Sequence, residues 1–216
     1  LTSSQGPVTN VVVLNAYAFE TYYPFNFQAA GDNVFIKART IKCGRAYFPW
    51  NVRDHEVHIY SEHGGPFDDV LLKCYCDSRH GYNKLENIKV RYSTSGRHAS
   101  AEAQGTLQSL IAIDVQQYDA GFTAGGQINN IDIEVLCSNL TGGAIAPNRL
   151  IIVRRQNADG TADTTSRSHV FVNWRISGRV NSAQVFSEDV ISIFNTSGGY
   201  VWTGDYATGF KFEDLQ

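Results

Sequence analysis

Strict alternation of apolar and polar residues, repeated in segment after segment, is the feature that most constrains this chain. Ile131, Ile133, Val135 and Cys137 fall on one side of an extended backbone, with Asp132 and Glu134 on the other. Ile88, Val90 and Tyr92 oppose Lys89 and Arg91 in the same way, and Val170, Val172, Trp174 and Ile176 oppose Asn173 and Arg175. Successive side chains of a strand point to opposite faces, so a period of two marks a half-buried strand. On this pattern Trp174 is expected to be heavily buried. Further strands are expected at residues 34–43, 55–60, 70–76, 107–115 and 150–155, with weaker candidates at 11–14 and 190–194. One short helix is a candidate at residues 99–108.

Between these runs stand turn-forming groups: Gly64-Gly65-Pro66, Ser95-Gly96, Gly125-Gly126, Gly142-Gly143, Asp159-Gly160 and Gly198-Gly199. Parallel strands need long crossovers, usually helical, and no amphipathic helix of sufficient length separates the runs. The expectation is therefore an all-β, antiparallel two-sheet sandwich. No repeat or linker divides the chain, so residues 1–216 are read as a single domain. Leu150-Ile151-Ile152-Val153 is apolar on both faces, which places it in the middle of a sheet covered on both sides.

Lys and Arg number 18 against 21 Asp and Glu, a net charge of −3, and the first cation is Lys37. No basic field draws the chain onto a phosphate backbone, so any contact with RNA is expected to be weak or shared. No apolar run approaches the roughly 20 residues of a membrane-spanning helix, and no membrane span is expected. Cys43, Cys74, Cys76 and Cys137 are read as reduced, buried thiols, since Cys74 and Cys76 lie two apart on one strand, a poor geometry for pairing. Asn139 and Asn195 head the two glycosylation triplets, which arise often by chance.

Chemistry-bearing motifs are sparse. His55-Glu56-Val57-His58 invites a metal, but two His three apart on a strand face opposite sides and cannot share an ion. Cys74, Cys76 and His80 lack a fourth ligand at structural-zinc spacing. A nucleophile elbow, a phosphate-binding lysine loop and a dinucleotide fingerprint are all missing. The expectation is a protein without catalytic activity, metal or cofactor.

Aromatic clusters are the stronger signal. Tyr17, Phe19, Tyr22, Tyr23, Phe25 and Phe27 crowd one end, and Tyr200, Trp202, Tyr206, Phe210 and Phe212 the other. Aromatic rings serve both cores and protein contacts. The two clusters, Phe27 aside, are read as candidate subunit-contact surfaces.

Leu150-Ile151-Ile152-Val153-Arg154-Arg155, a polar loop, then His169-Val170-Phe171-Val172-Asn173-Trp174-Arg175-Ile176 and Ser177-Gly178-Arg179-Val180 resemble the last two strands of a picorna-like virus capsid jelly roll. The pattern is similar to the small coat proteins of comovirus-like viruses. That resemblance implies a viral jelly roll and a structural capsid subunit. Such a subunit assembles with like or related subunits, as a homo- or hetero-oligomer, into an icosahedral shell around an RNA genome. It implies residence in the virion, and in host cytoplasm during assembly. It also implies release from a polyprotein by a protease cutting after Gln, which makes Gln216 a candidate processing terminus. The competing expectation is a secreted carbohydrate-binding or adhesive β-sandwich, with loop aromatics stacking on sugars.

Overall fold

The computed structural model describes residues 8–28, 31–64, 68–76, 84–97, 109–117, 126–138, 149–156, 170–180, 191–193 and 211–213. Among the described residues, thirteen strands make up the regular structure. They are β1 (Val8–Phe19), β2 (Phe25–Gln28), β3 (Gly31–Ile41), β4 (Tyr47–Trp50), β5 (Arg53–Gly64), β6 (Val70–Cys76) and β7 (Lys84–Arg97). The remainder are β8 (Ser109–Gln117), β9 (Gln127–Ser138), β10 (Arg149–Gln156), β11 (Val170–Val180), β12 (Ile191–Ile193) and β13 (Lys211–Glu213).

Odd-numbered strands form one sheet, in the order β1-β3-β5-β7-β9-β11-β13, and even-numbered strands the other, β12-β10-β8-β6-β4-β2. Every pairing is parallel. The chain crosses to the facing sheet with each strand and returns one place further along. That winding makes a parallel β-solenoid, each coil an odd strand followed by an even one. The antiparallel sandwich and its jelly-roll form are thereby overturned. The physical reason is simple: the strand in the opposite sheet itself carries the chain back, so parallel neighbours need no helical crossover.

The core lies between the sheets and is built as stacks running from coil to coil. In the odd sheet one stack is Val13, Ile36, Val57, Val90, Ile133 and Ile176, and a second is Ala16, Ala38, Ile59, Tyr92, Val135 and Gly178. From Ile36, Val57 and Ile59 onward, the Ile and Val side chains of these stacks are buried. Each such side chain contributes about 1.5–3 kcal/mol by leaving water. Gly178 ends the second stack because nothing larger fits: it has a φ of 142°, and a Cβ there would lie 1.9 Å from the Val135 carbonyl oxygen.

The even sheet is apolar on both faces. Tyr47, Val70, Ile111 and Ile151 are in register and belong to the main core. Leu71, Ala112 and Ile152 form a second buried cluster with Phe48 packed against it. Leu150 to Val153 is thus buried on both sides, as its composition implies, in a parallel sheet.

A carboxamide ladder fixes the register of the odd sheet. Asn10, Asn33, Asp54, Asn87, Asn130 and Asn173 all take the left-handed conformation, with φ from 55° to 58°. Asn and Asp tolerate that region better than other non-glycine residues. Asn173 Nδ2 donates to Asn130 Oδ1 at 3.0 Å, Asn130 to Asn87 at 2.8 Å, Asn87 to Asp54 at 2.7 Å, and Asn33 to Asn10 at 3.1 Å.

The ladder also corrects the period-two reading of the last long strand. The left-handed residue Asn173 interrupts the alternation, so Phe171 is in register with buried Ile128, while Val172 is half-buried beside Asn129. Trp174 remains in the core, 1% exposed, and its Nε1 donates to the Ile128 carbonyl at 3.1 Å. Gly64 and Gly96, read as turn residues, lie inside β5 and β7. The candidate helix lies outside the described residues.

Candidate functional site: an axial groove on the odd sheet

Outward side chains of the odd sheet form columns as regular as the core stacks. Glu56, Lys89, Asp132 and Arg175 follow one another across β5, β7, β9 and β11, alternating in charge. Lys89 Nζ lies 3.0 Å from Glu56, Arg91 lies 2.9 Å from Asp132 and 2.8 Å from Glu134, and Arg175 is 3.7 Å from Asp132. Exposed pairs of this kind contribute at most about 1 kcal/mol each. Their effect is on register, since a slip of one coil would place like charges together.

The next two columns bound a groove of about 220 Å³ that crosses β3, β5, β7 and β9. One wall carries Lys37, His58, Arg91 and Glu134, in register on successive strands, and the other carries Tyr60, Ser93 and Leu136. Parallel strands stand about 4.8 Å apart, so the groove runs about 14 Å along the solenoid axis. Tyr60 is 37% exposed and Leu136 48%. The Tyr60 ring lies 5.6 Å from the Arg39 guanidinium, and its hydroxyl meets Ser95 Oγ at 2.7 Å, so the ring is held in place. Arg39 in turn pairs with Glu62, which raises the Arg39 pKa through that hydrogen bond.

His58 Nε2 lies 2.8 Å from Glu56 Oε1, and hydrogen bonds from His58 and then Lys89 hold the Glu56 carboxyl below its usual range. His55 sits on the other side of the same strand, inside the core. Its Nε2 lies 2.7 Å from the Gly31 carbonyl and its Nδ1 2.6 Å from the Tyr47 hydroxyl. The carbonyl can only accept, so Nε2 carries the proton and Nδ1 accepts from Tyr47. Burial lowers the His55 pKa to about 4. His55 and His58 therefore face opposite sides of β5.

A wider depression of about 560 Å³ follows the carboxamide ladder, with Phe35, Glu56 and Lys89 on its other wall. Its Asn side chains are largely committed to one another. The buried Asp69 accepts from Ser61 Oγ at 2.9 Å and from the Tyr92 hydroxyl, joining the two sheets away from either groove. Cys43, Cys74 and Cys137 are buried.

The amino-terminal aromatic residues divide between surface and core. Tyr17, Phe19 and Tyr22 are exposed, whereas Tyr23 is half-buried between Tyr22 and Phe48, and Phe25 is buried in the core. Phe212 lies on β13 in register with Ile176. Tyr200, Trp202, Tyr206, Phe210 and Gln216 lie outside the described residues, as do His80, Asn139 and Asn195.

Compared with known protein families, curated proteins and solved structures, the chain matches none. The groove and the ladder were missed by sequence reasoning, although a signal exists. Thr9-Asn-Val-Val-Val, Asp32-Asn-Val-Phe-Ile, Arg53-Asp-His-Glu-Val, Glu86-Asn-Ile-Lys-Val, Asn129-Asn-Ile-Asp-Ile and Val172-Asn-Trp-Arg-Ile share one pattern. Asn or Asp is followed by an inward residue, an outward one and a second inward one, so the chain carries a short repeat, one per coil, and the repeat-free reading is corrected.

Proposed function

We propose that this protein is a binding solenoid whose axial groove holds an extended glycan, without catalysing its cleavage. The observation that carries this reading is the pairing of an aromatic and apolar wall, Tyr60 and Leu136, with a wall of planar polar groups, His58, Arg91 and Glu134, at the spacing of the strands. An aromatic face attracts the C–H face of a sugar ring, while planar polar groups match adjacent hydroxyls. A groove that repeats with the strands suits a polymer better than a compact ligand. Glycosidic cleavage needs a carboxylic acid kept protonated near neutral pH. The groove's carboxylate among the described residues, Glu134, is ion-paired with Arg91 instead.

The test is a binding screen of the full chain against polysaccharides, with Tyr60→Ala as the comparison. Retention of a polymer by the native chain and at least tenfold weaker retention by the variant is expected; equal retention would remove the groove from the reading.

A second reading, association with another polypeptide, is favoured by β1. This terminal strand of the odd sheet, VTNVVVLNAYAF, carries no charge, Pro or Gly. Val12, Leu14, Tyr17 and Phe19 on it are 50% to 66% exposed. Edge strands of soluble proteins are commonly blunted by charge or Pro, and this one is not. The expectation of an icosahedral shell rested on the jelly roll and loses that ground; a role in association does not. Val12→Lys with Leu14→Lys should lower any concentration-dependent oligomer seen by sedimentation, and an unchanged distribution would sink this reading.

A further inference from the structure

We infer that the glycan held by the groove is acidic, a polymer bearing carboxylates that Lys37 and Arg179 receive at its two ends; the inference rests on the glycan reading. Among the described residues on the outer face of the odd sheet, most charges are matched. Asp32 pairs with Arg53, Glu56 with His58 and Lys89, Glu62 with Arg39, and Asp132 and Glu134 with Arg91. Lys37 and Arg179 have no ion-pair partner among the described residues.

Their positions are specific. Lys37 is in register with His58 on the polar wall and lines the β3 end of the groove. Arg179 follows Leu136 in register on the aromatic wall, one strand beyond the β9 end. Both are exposed. The two unmatched cations thus bracket the groove about four strand spacings, or about 19 Å, apart. A neutral polymer would leave both charges without a counterpart. A polymer with a carboxylate on each unit places one near each cation while its rings cross Tyr60 and Leu136. The net charge of −3 lies against general attraction of a polyanion, so recognition is confined to the groove, where the surrounding acids are already neutralised.

The experiment measures binding of the full chain to polyuronates, among them polygalacturonate, alginate and hyaluronate, each beside its carboxyl-reduced neutral counterpart. The variants are Lys37→Ala with Arg179→Ala, and Tyr60→Ala, with circular dichroism confirming the fold. The expected result is preference for one acidic polymer, weakened by added salt and reduced about tenfold or more in the double cation variant, since charge-assisted contacts are worth at least that factor each. Equal binding of the acidic and reduced forms, or an unaffected double variant, would overturn the inference while leaving the glycan reading intact. Binding of neither form by the native chain would overturn both.

Discussion

Asp54 Oδ1 accepts a hydrogen bond from Asn87 Nδ2 at 2.7 Å, and Asp54 is thereby the one carboxylate in a ladder of carboxamides. A carboxylate accepts but cannot donate. The ladder therefore breaks between Asp54 and Asn33, whose own Nδ2 is directed to Asn10. Asp54→Asn keeps the bond from Asn87, supplies a donor toward Asn33, and places a residue well suited to the left-handed φ of 58°. It should stabilise the fold by about 0.5–1.5 kcal/mol, read as a higher urea midpoint with an unchanged slope. A lower midpoint would mean that the carboxylate is needed where it stands.

Acid should loosen the second and third coils through His55. Its folded pKa is about 4, lowered by burial, against about 6.5 for an unfolded His. As pH falls from about 6.5 to about 4 the unfolded chain takes up the proton first, and the native state loses about 3 kcal/mol, with no further loss from this group below pH 4. Urea titrations at pH 7 and pH 4.5 should show that slope, and His55→Gln should flatten it. A variant with the same slope as the native protein would assign the acid sensitivity elsewhere.

Trp174 anchors the far end of the odd sheet. Trp174→Ala should cost about 3–5 kcal/mol through lost burial and the cavity left behind. Trp174→Phe keeps the ring but removes the donor to Ile128, leaving a buried carbonyl short of a partner, and should cost about 1–3 kcal/mol. Chemical denaturation separates the two, and a near-neutral Ala variant would contradict the placement.

Gly178→Ala should be as severe as a core truncation although it adds only a methyl group. Both the φ of 142° and the Val135 carbonyl oppose a Cβ. A loss of about 2–4 kcal/mol is expected from strain. Thermal melting checks this, and a loss below about 0.5 kcal/mol would show that β11 shifts freely.

The strands were legible because alternation is a local property: Ile131 to Cys137 and Ile88 to Tyr92 bury the residues that their pattern assigns inward. Strand direction was not, because it depends on where the chain goes next. Leu150 to Val153 and Leu71 with Leu72 did carry the mark of a parallel sheet, burial on both faces. Without a helix to serve as crossover, that mark was read as antiparallel. The groove was hidden for a different reason: Lys37, Tyr60 and Leu136 are unremarkable singly, and only the register of β3, β5, β7 and β9 aligns them. Asn173 shows the limit of periodicity itself, since beside this one left-handed residue Val172 is only half-buried, in register with Asn129.

The ladder joins residues 23, 33 and 43 positions apart, while its donor–acceptor distances stay between 2.7 and 3.1 Å. Sequence length between rungs is therefore uncoupled from their spacing in space. A host with this property accepts foreign peptide between one rung and the next as extra contour length at a corner. Segments could be exchanged or displayed there at intervals set by the strands, with the outward columns serving as a fixed ruler.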